Sequence, residues 1–261
     1  MSTYLECYKQ AQVIGQKFHE LLGNQGQQKN FFLEYPDLTN LDISSPILIL
    51  GLNPSGEDQP SELDTKPNLF SYIPQNPDIK STEVYYKELQ QFCYSPYFKT
   101  FIECFQRLKP PYNPLWYNKD VLEQIYSANK EHLSKEQLNY LLGYSGLDER
   151  NYIIFADLVQ YSKTNSKAIT EHLSNDTVVD LLKGYIGLLF EYIKPKLVLS
   201  ANAAVSHFLI DNFNQEIVDT NINIHGTNVF LGSMLTGQRA MDIYSRKRLF
   251  NEIQDFINSN P

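Results

Sequence analysis

Apolar positions fall into two kinds of run along this chain. Between residues 3 and 22, "TYLECYKQAQVIGQKFHELL" spaces Leu5, Tyr8, Val13, Phe18, Leu21 and Leu22 at mostly helical intervals. Gly23 then supplies a stop, so a helix over 3–22 is expected. Four shorter runs are continuously apolar: "ILILGL" from Ile47, "NYIIFADLV" from Asn151, "KLVLS" from Lys196 and "TNVFLGSML" from Thr227. Their β-branched content, shortness and flanking turn residues fit strands buried on both faces. Helical patterns lie between them at roughly 82–93, 97–107, 134–143 and 177–193. The third strand passes directly into another helix, and a terminal helix is expected to open at Thr236.

Buried parallel strands need crossover helices, so this alternation predicts an α/β fold. The expected architecture is a three-layer sandwich around a central four-stranded parallel sheet. It forms one domain over 1–261, with helical insertions between the first and second core strands. In such sheets ligands gather beyond the carboxyl ends of the strands. The candidate loops therefore start at Asn53, Asp157, Ala201 and Ser233. Residues 54–80 are rich in Pro, Ser, Asp and Asn and are long for a connection; a functional loop and a surface insertion both fit.

Composition narrows the chemistry. A formal net charge of -8 and a pI near 5.2 have the wrong sign for a surface that attracts phosphates everywhere, so any nucleic-acid function needs a local patch. Cys7, Cys93 and Cys104 lack a Cys-x-x-Cys spacing, which argues against a disulfide framework, a zinc site or an iron-sulfur cluster. The five histidines show no metal-like spacing either, and neither a nucleophile elbow nor a phosphate-cradling glycine loop is found. No metal and no cofactor are expected. With no apolar run long enough to cross a bilayer and no N-terminal signal pattern, the expectation is a cytoplasmic monomer without a membrane partner.

The first strand ends in Gly51-Leu52-Asn53-Pro54-Ser55. Gly51 lets backbone approach a ligand, and Pro54 fixes the direction of the chain. Asn53 can hold a water but cannot take its proton; an Asx-type turn is the alternative. This stretch resembles the first motif of the uracil-DNA glycosylase superfamily, in particular its mismatch-specific branch, where a strand is followed by Gly-x-Asn-Pro-Gly. "FADLVQYSKTNSKAI", "IKPKLVLSANAAVSHFL" and "FLGSMLTGQRA" resemble the later segments of that branch in the same order.

The resemblance implies hydrolysis of an N-glycosidic bond in a damaged or mismatched base flipped out of DNA. It assigns Asn53 to orienting the water and Ser233 to donating a hydrogen bond where relatives carry His-Pro-Ser. Gly51, Leu52, Pro54 and Ser55 would surround the base, Phe70 or Tyr72 would stack on it, and Asp157 would read its edge. An ionised Asp157 only accepts hydrogen bonds, which disfavours plain uracil unless burial keeps it protonated; a helix N-cap or a structural hydrogen-bond acceptor is an equal alternative. The DNA-contacting residues would be Lys163, with Thr236, Gly237, Gln238 and Arg239 at the opening of the terminal helix. Two further readings stay open: a member of the fold without catalysis that binds a nucleotide, small ligand or protein, and a hydrolase of free nucleosides or nucleotides.

Overall fold

A computed structural model of the protein describes residues 4–23, 27–28, 45–52, 96–114, 151–159, 161–162, 166–213, 220–235 and 240–260. In chain order the elements are α1 (Tyr4–Leu22), β1 (Gln27–Gln28), β2 (Ile47–Gly51), α2 (Pro96–Gln106), β3 (Asn113–Pro114), β4 (Tyr152–Asp157) and β5 (Tyr161–Ser162). They continue with α3 (Ser166–Thr170), α4 (Asp176–Ile193), β6 (Leu197–Ser200), α5 (Ala203–Phe213), β7 (Asn221–Ile224), β8 (Thr227–Leu231) and α6 (Ile243–Ser259). The four expected core strands are β2, β4, β6 and β8, and they pair in parallel. The helical patterns at 82–93 and 134–143 lie outside the described residues.

Among the described residues the sheet has six strands rather than four, in the order β3-β4-β2-β6-β8-β7. Two-residue β3 extends it in parallel beside β4, and β7 closes the other edge antiparallel to β8. Neither carries an apolar run: β3 has two residues, and β7 alternates Asn with Ile. The β7–β8 turn is His225-Gly226, with φ of 51° and 83°, and Asn223 accepts from the Gly226 N–H at 3.0 Å. Two consecutive positive φ angles match the right-handed twist of a two-residue hairpin. Separately, β1 and β5 form a small antiparallel pair.

Side chains alternate across each strand and so divide the core in two. Leu48, Leu50, Ile154, Ala156 and Val198 face α1, α4 and α5, meeting Phe18, Leu182, Tyr185, Ile186 and Leu209. Ile47, Ile49, Ile153, Phe155, Leu197, Leu199 and Phe230 face α2 and α6. Helices therefore cover both faces, giving three layers. On the first side Gln10 of α1 donates to the Leu181 carbonyl of α4 at 3.1 Å. On the second, Phe105 meets Phe250 edge-on at 5.1 Å, and Phe230 meets Phe256 at 5.7 Å. Gln254 accepts from the Lys109 N–H and donates to its carbonyl, at 2.7 and 2.8 Å, tying α6 to the exit of α2.

Phe105 is fully buried at the α2–α6 seam, so removing its ring empties space that neither helix can close alone. Phe105→Ala is expected to cost about 3–5 kcal/mol. Urea unfolding checks it; a loss below roughly 1 kcal/mol would contradict this packing.

Candidate functional site

The parallel register aligns the carboxyl ends of the core strands. Gly51 pairs with Asp157, Leu50 with Ser200, and Ser200 with Leu231. The pairing continues past the last strand residues: Leu158 and Val159 donate to the Gly51 and Leu52 carbonyls, and Ala201 donates to Leu50, each at 2.9 Å. One residue further along this register, a row across the sheet reads Asp157, Gly51, Ala201, Gly232. Strand alternation points all four toward the α2–α6 face. Asp157 is the only long side chain in that row.

Asp157 is the last residue of β4, and no helix opens directly after it, so the N-cap alternative is removed. Burial disfavours the charged carboxylate and pushes its pKa up to about 7. The group is therefore a donor as well as an acceptor near neutrality. Behind it, the Tyr185 hydroxyl reaches the Asp157 backbone carbonyl in a long contact of 3.5 Å.

Next to this row lies a closed polar ring that was not anticipated from the sequence. The Gly232 N–H donates to Ser200 Oγ at 3.0 Å, and the Ser206 hydroxyl donates to the Gly232 carbonyl at 2.7 Å. The two serine oxygens are 2.5 Å apart. Ser206 has one hydrogen and spends it on Gly232, so Ser200 is the donor between them. Every hydrogen in the ring is then used once. The ring fixes the exit of β8 to the β6–α5 junction, where Asn202 caps α5 by accepting from the Ala204 N–H at 2.9 Å. Two serines six residues apart in an apolar strand–helix segment were the only signal in the sequence.

Ser233 follows this ring directly, is half-buried, and its hydroxyl makes no hydrogen bond among the described residues. The structure thus brings Gly51, Leu52, Asp157 and Ser233 to one edge of the sheet. Asn53, Pro54, Ser55, Phe70, Tyr72, Lys163, Thr236, Gly237, Gln238 and Arg239 lie outside the described residues.

The expected opening of the terminal helix is corrected. Residues 240–242 are not helical, and α6 begins at Ile243 with Asp242 as its N-cap. The Asp242 carboxylate accepts from the Tyr244 and Ser245 N–H groups at 2.8 and 3.0 Å and from the Ser245 hydroxyl at 2.6 Å. The Ser245 hydroxyl, then these backbone donors, hold its pKa below the ordinary carboxylate value. A carboxylate already occupies the place where a phosphate would bind at the helix N-terminus. Asp immediately before an apolar-periodic segment is a strong N-cap signal, and it marked this boundary. Just before the cap, the Met241 N–H donates to the Met234 carbonyl at 2.8 Å.

Burial disfavours the thiolate of both described cysteines, pushing Cys7 up to about 12 and raising Cys104. Among the described residues no group of His, Cys, Asp and Glu is placed to hold a metal ion. No described helix is long and apolar enough to cross a membrane. Lys167 of α3 is exposed and sits 3.7 Å from Glu171. Comparison of the sequence with protein-family models and with functionally characterised proteins finds no match.

Two outcomes are expected. A methyl group on Gly232 would sit 2.6 Å from the Ser200 carbonyl oxygen, so Gly232→Ala must displace backbone. It is expected to cost about 1–3 kcal/mol in denaturant unfolding; an unchanged midpoint would contradict the close approach. The second concerns pH. The folded pKa of Asp157 lies above the ordinary value of 3.8, so its contribution is complete below about pH 4 and is lost as pH rises to about 7. Asp157→Asn removes this dependence and is expected to gain stability relative to wild type as pH rises from 4 to 8. The gain is about 1.4 kcal/mol for every pH unit separating the folded and unfolded titration midpoints. Parallel pH–stability curves for the two proteins would refute it.

Proposed function

We propose that the chain is an N-glycosyl hydrolase with a uracil-DNA glycosylase-like fold, acting on a damaged or mismatched base flipped out of DNA. The observation that carries this reading is the register pairing of Gly51 with Asp157, two residues before Asn53, at the carboxyl edge of a parallel sheet. That edge is where this fold class binds ligands. Asn53 holds the attacking water through its amide. The leaving base accumulates negative charge, which neighbouring N–H donors and the Ser233 hydroxyl stabilise in a site shielded from water.

Asp157 sets the base preference. Protonated, it donates to a carbonyl oxygen of a uracil, thymine or hypoxanthine type base; ionised, it accepts from an exocyclic amino group. With a pKa near 7 both forms are present under neutral conditions. A single-featured uracil site is therefore not the expectation, and carbonyl-bearing lesions gain as pH falls.

A second reading, a hydrolase or binder of free nucleosides or nucleotides in the same cleft, is favoured by the net charge of -8 and by the Asp242 carboxylate at the α6 N-terminus. A panel of labelled oligonucleotides carrying uracil, thymine mismatch, hypoxanthine and modified pyrimidines separates the two, run beside free nucleosides. Cleavage of at least one oligonucleotide lesion is expected, with Asn53→Ala slower by roughly 10²-fold through loss of water positioning. No cleavage of any lesion, or equal rates for both proteins, would overturn the glycosylase mechanism, and turnover of nucleosides alone would favour the second reading.

A further inference from the structure

The described surface exposes few large apolar side chains, and two of them are adjacent: Ile243 at 62% and Tyr244 at 83%. Both stand in the first turn of α6. Three cations follow at Arg246, Lys247 and Arg248. Positions 244, 247 and 248 are spaced i, i+3, i+4, so Tyr244, Lys247 and Arg248 share one helix face. That face is opposite the stripe of Leu249, Ile253 and Ile257 that anchors α6 to the core. Lys247 and Arg248 are exposed, Arg246 is half-buried, and none of the three makes an ion pair among the described residues.

The position of this face follows from the packing of α6. Leu249 lies against Gly232, whereas Phe256 meets Phe230 edge-on, two residues earlier in the strand direction. The helix therefore runs antiparallel to β8. Its residues before Leu249 extend past the carboxyl edge, Tyr244 by about 7.5 Å along the helix axis. The exposed ring of Tyr244 thus stands beyond the level of Gly232, with two exposed cations beside it on the outward face of α6, on a chain that is acidic overall.

The nearby acidic groups limit where negative charge can sit. Asp242 is engaged by the helix N-terminus beside Tyr244, Glu252 is bonded to the Thr220 hydroxyl, and Asp255 lies about two turns beyond Arg248. Phosphate is thereby favoured at Lys247 and Arg248 and disfavoured at the Asp242 end, where the neutral ring of Tyr244 is exposed. A flat uncharged group next to a phosphate is the repeating unit of a nucleic-acid strand.

We propose that the Tyr244–Lys247–Arg248 face binds a single-stranded segment of nucleic acid, with a base stacked on Tyr244 and phosphates at Lys247 and Arg248. This binding is independent of whether the chain cleaves an N-glycosidic bond, so it is measured on an undamaged strand. Fluorescence anisotropy with a labelled deoxythymidine oligonucleotide is run from low to moderate salt, on wild type, Tyr244→Ala, Tyr244→Phe and the double variant Lys247→Glu with Arg248→Glu. Circular dichroism confirms folding, and all the substituted positions are on the surface. Tyr244→Ala is expected to weaken binding about tenfold, with Tyr244→Phe retaining it. The charge variant is expected to reduce the slope of log K against log salt by about 1.4, the value for two phosphate contacts on a single strand. Absence of wild-type binding at low salt, or affinities and slopes unchanged in the variants, would overturn the proposal. Equal affinity for polyglutamate, which has charge without bases, would overturn it as well.

Discussion

Everything at the carboxyl edge depends on the parallel pairing that sets Gly51 beside Asp157. Side chains in a strand alternate, so a slip of one residue would turn Asp157 toward the α1–α4 layer and bring Leu158 into the row. Register is held because both faces are buried. Ile47, Ile49, Ile153 and Phe155 fill one core and Leu48, Leu50, Ile154 and Ala156 fill the other. The bonds from Leu158 and Val159 to the Gly51 and Leu52 carbonyls extend the pairing beyond the regular strands. A carboxyl is thus carried to the rim on rigid backbone, in surroundings that keep it partly protonated.

The other polar groups of this rim are largely engaged. Ser200 and Ser206 satisfy each other and Gly232, Asn202 caps α5, and Asp242 caps α6. A buried polar ring with every hydrogen used makes the exit of β8 stiff, because breaking one bond strands a partner away from water. Ser233 emerges from that stiff point with its hydroxyl unengaged among the described residues. Under the proposed function, the chemistry at this edge is assigned to Asn53, Asp157 and Ser233.

The central part of the fold was legible in the sequence because buried parallel strands leave a plain trace. Four apolar runs became β2, β4, β6 and β8, and Gly23 ends α1 with a φ of 57°. What was not legible has physical reasons. β3 has two residues and no run to detect, and β7, "NINI", alternates over four positions, too few to separate from a loop. The start of α6 was placed too early because Thr236 to Arg239 contain residues that open helices, while Asp242 does so by capping. At the carboxyl edge, the sequence placed Gly51, Leu52, Asp157 and Ser233 at or just past strand ends. It did not give the protonation of Asp157, which depends on burial, or the serine ring, whose members come from β6, α5 and the exit of β8.

The most direct test is the titration of Asp157 itself. Carbon-13 NMR of the aspartate side-chain carboxyls, with Asp157→Asn used to assign the resonance, follows its protonation from acid to mildly alkaline pH. A midpoint close to 7 is the expected result, since burial at the sheet edge disfavours the charge. A midpoint near 4, the ordinary value for a solvated aspartate, would contradict it and leave the edge without the donor on which the reading of a base depends.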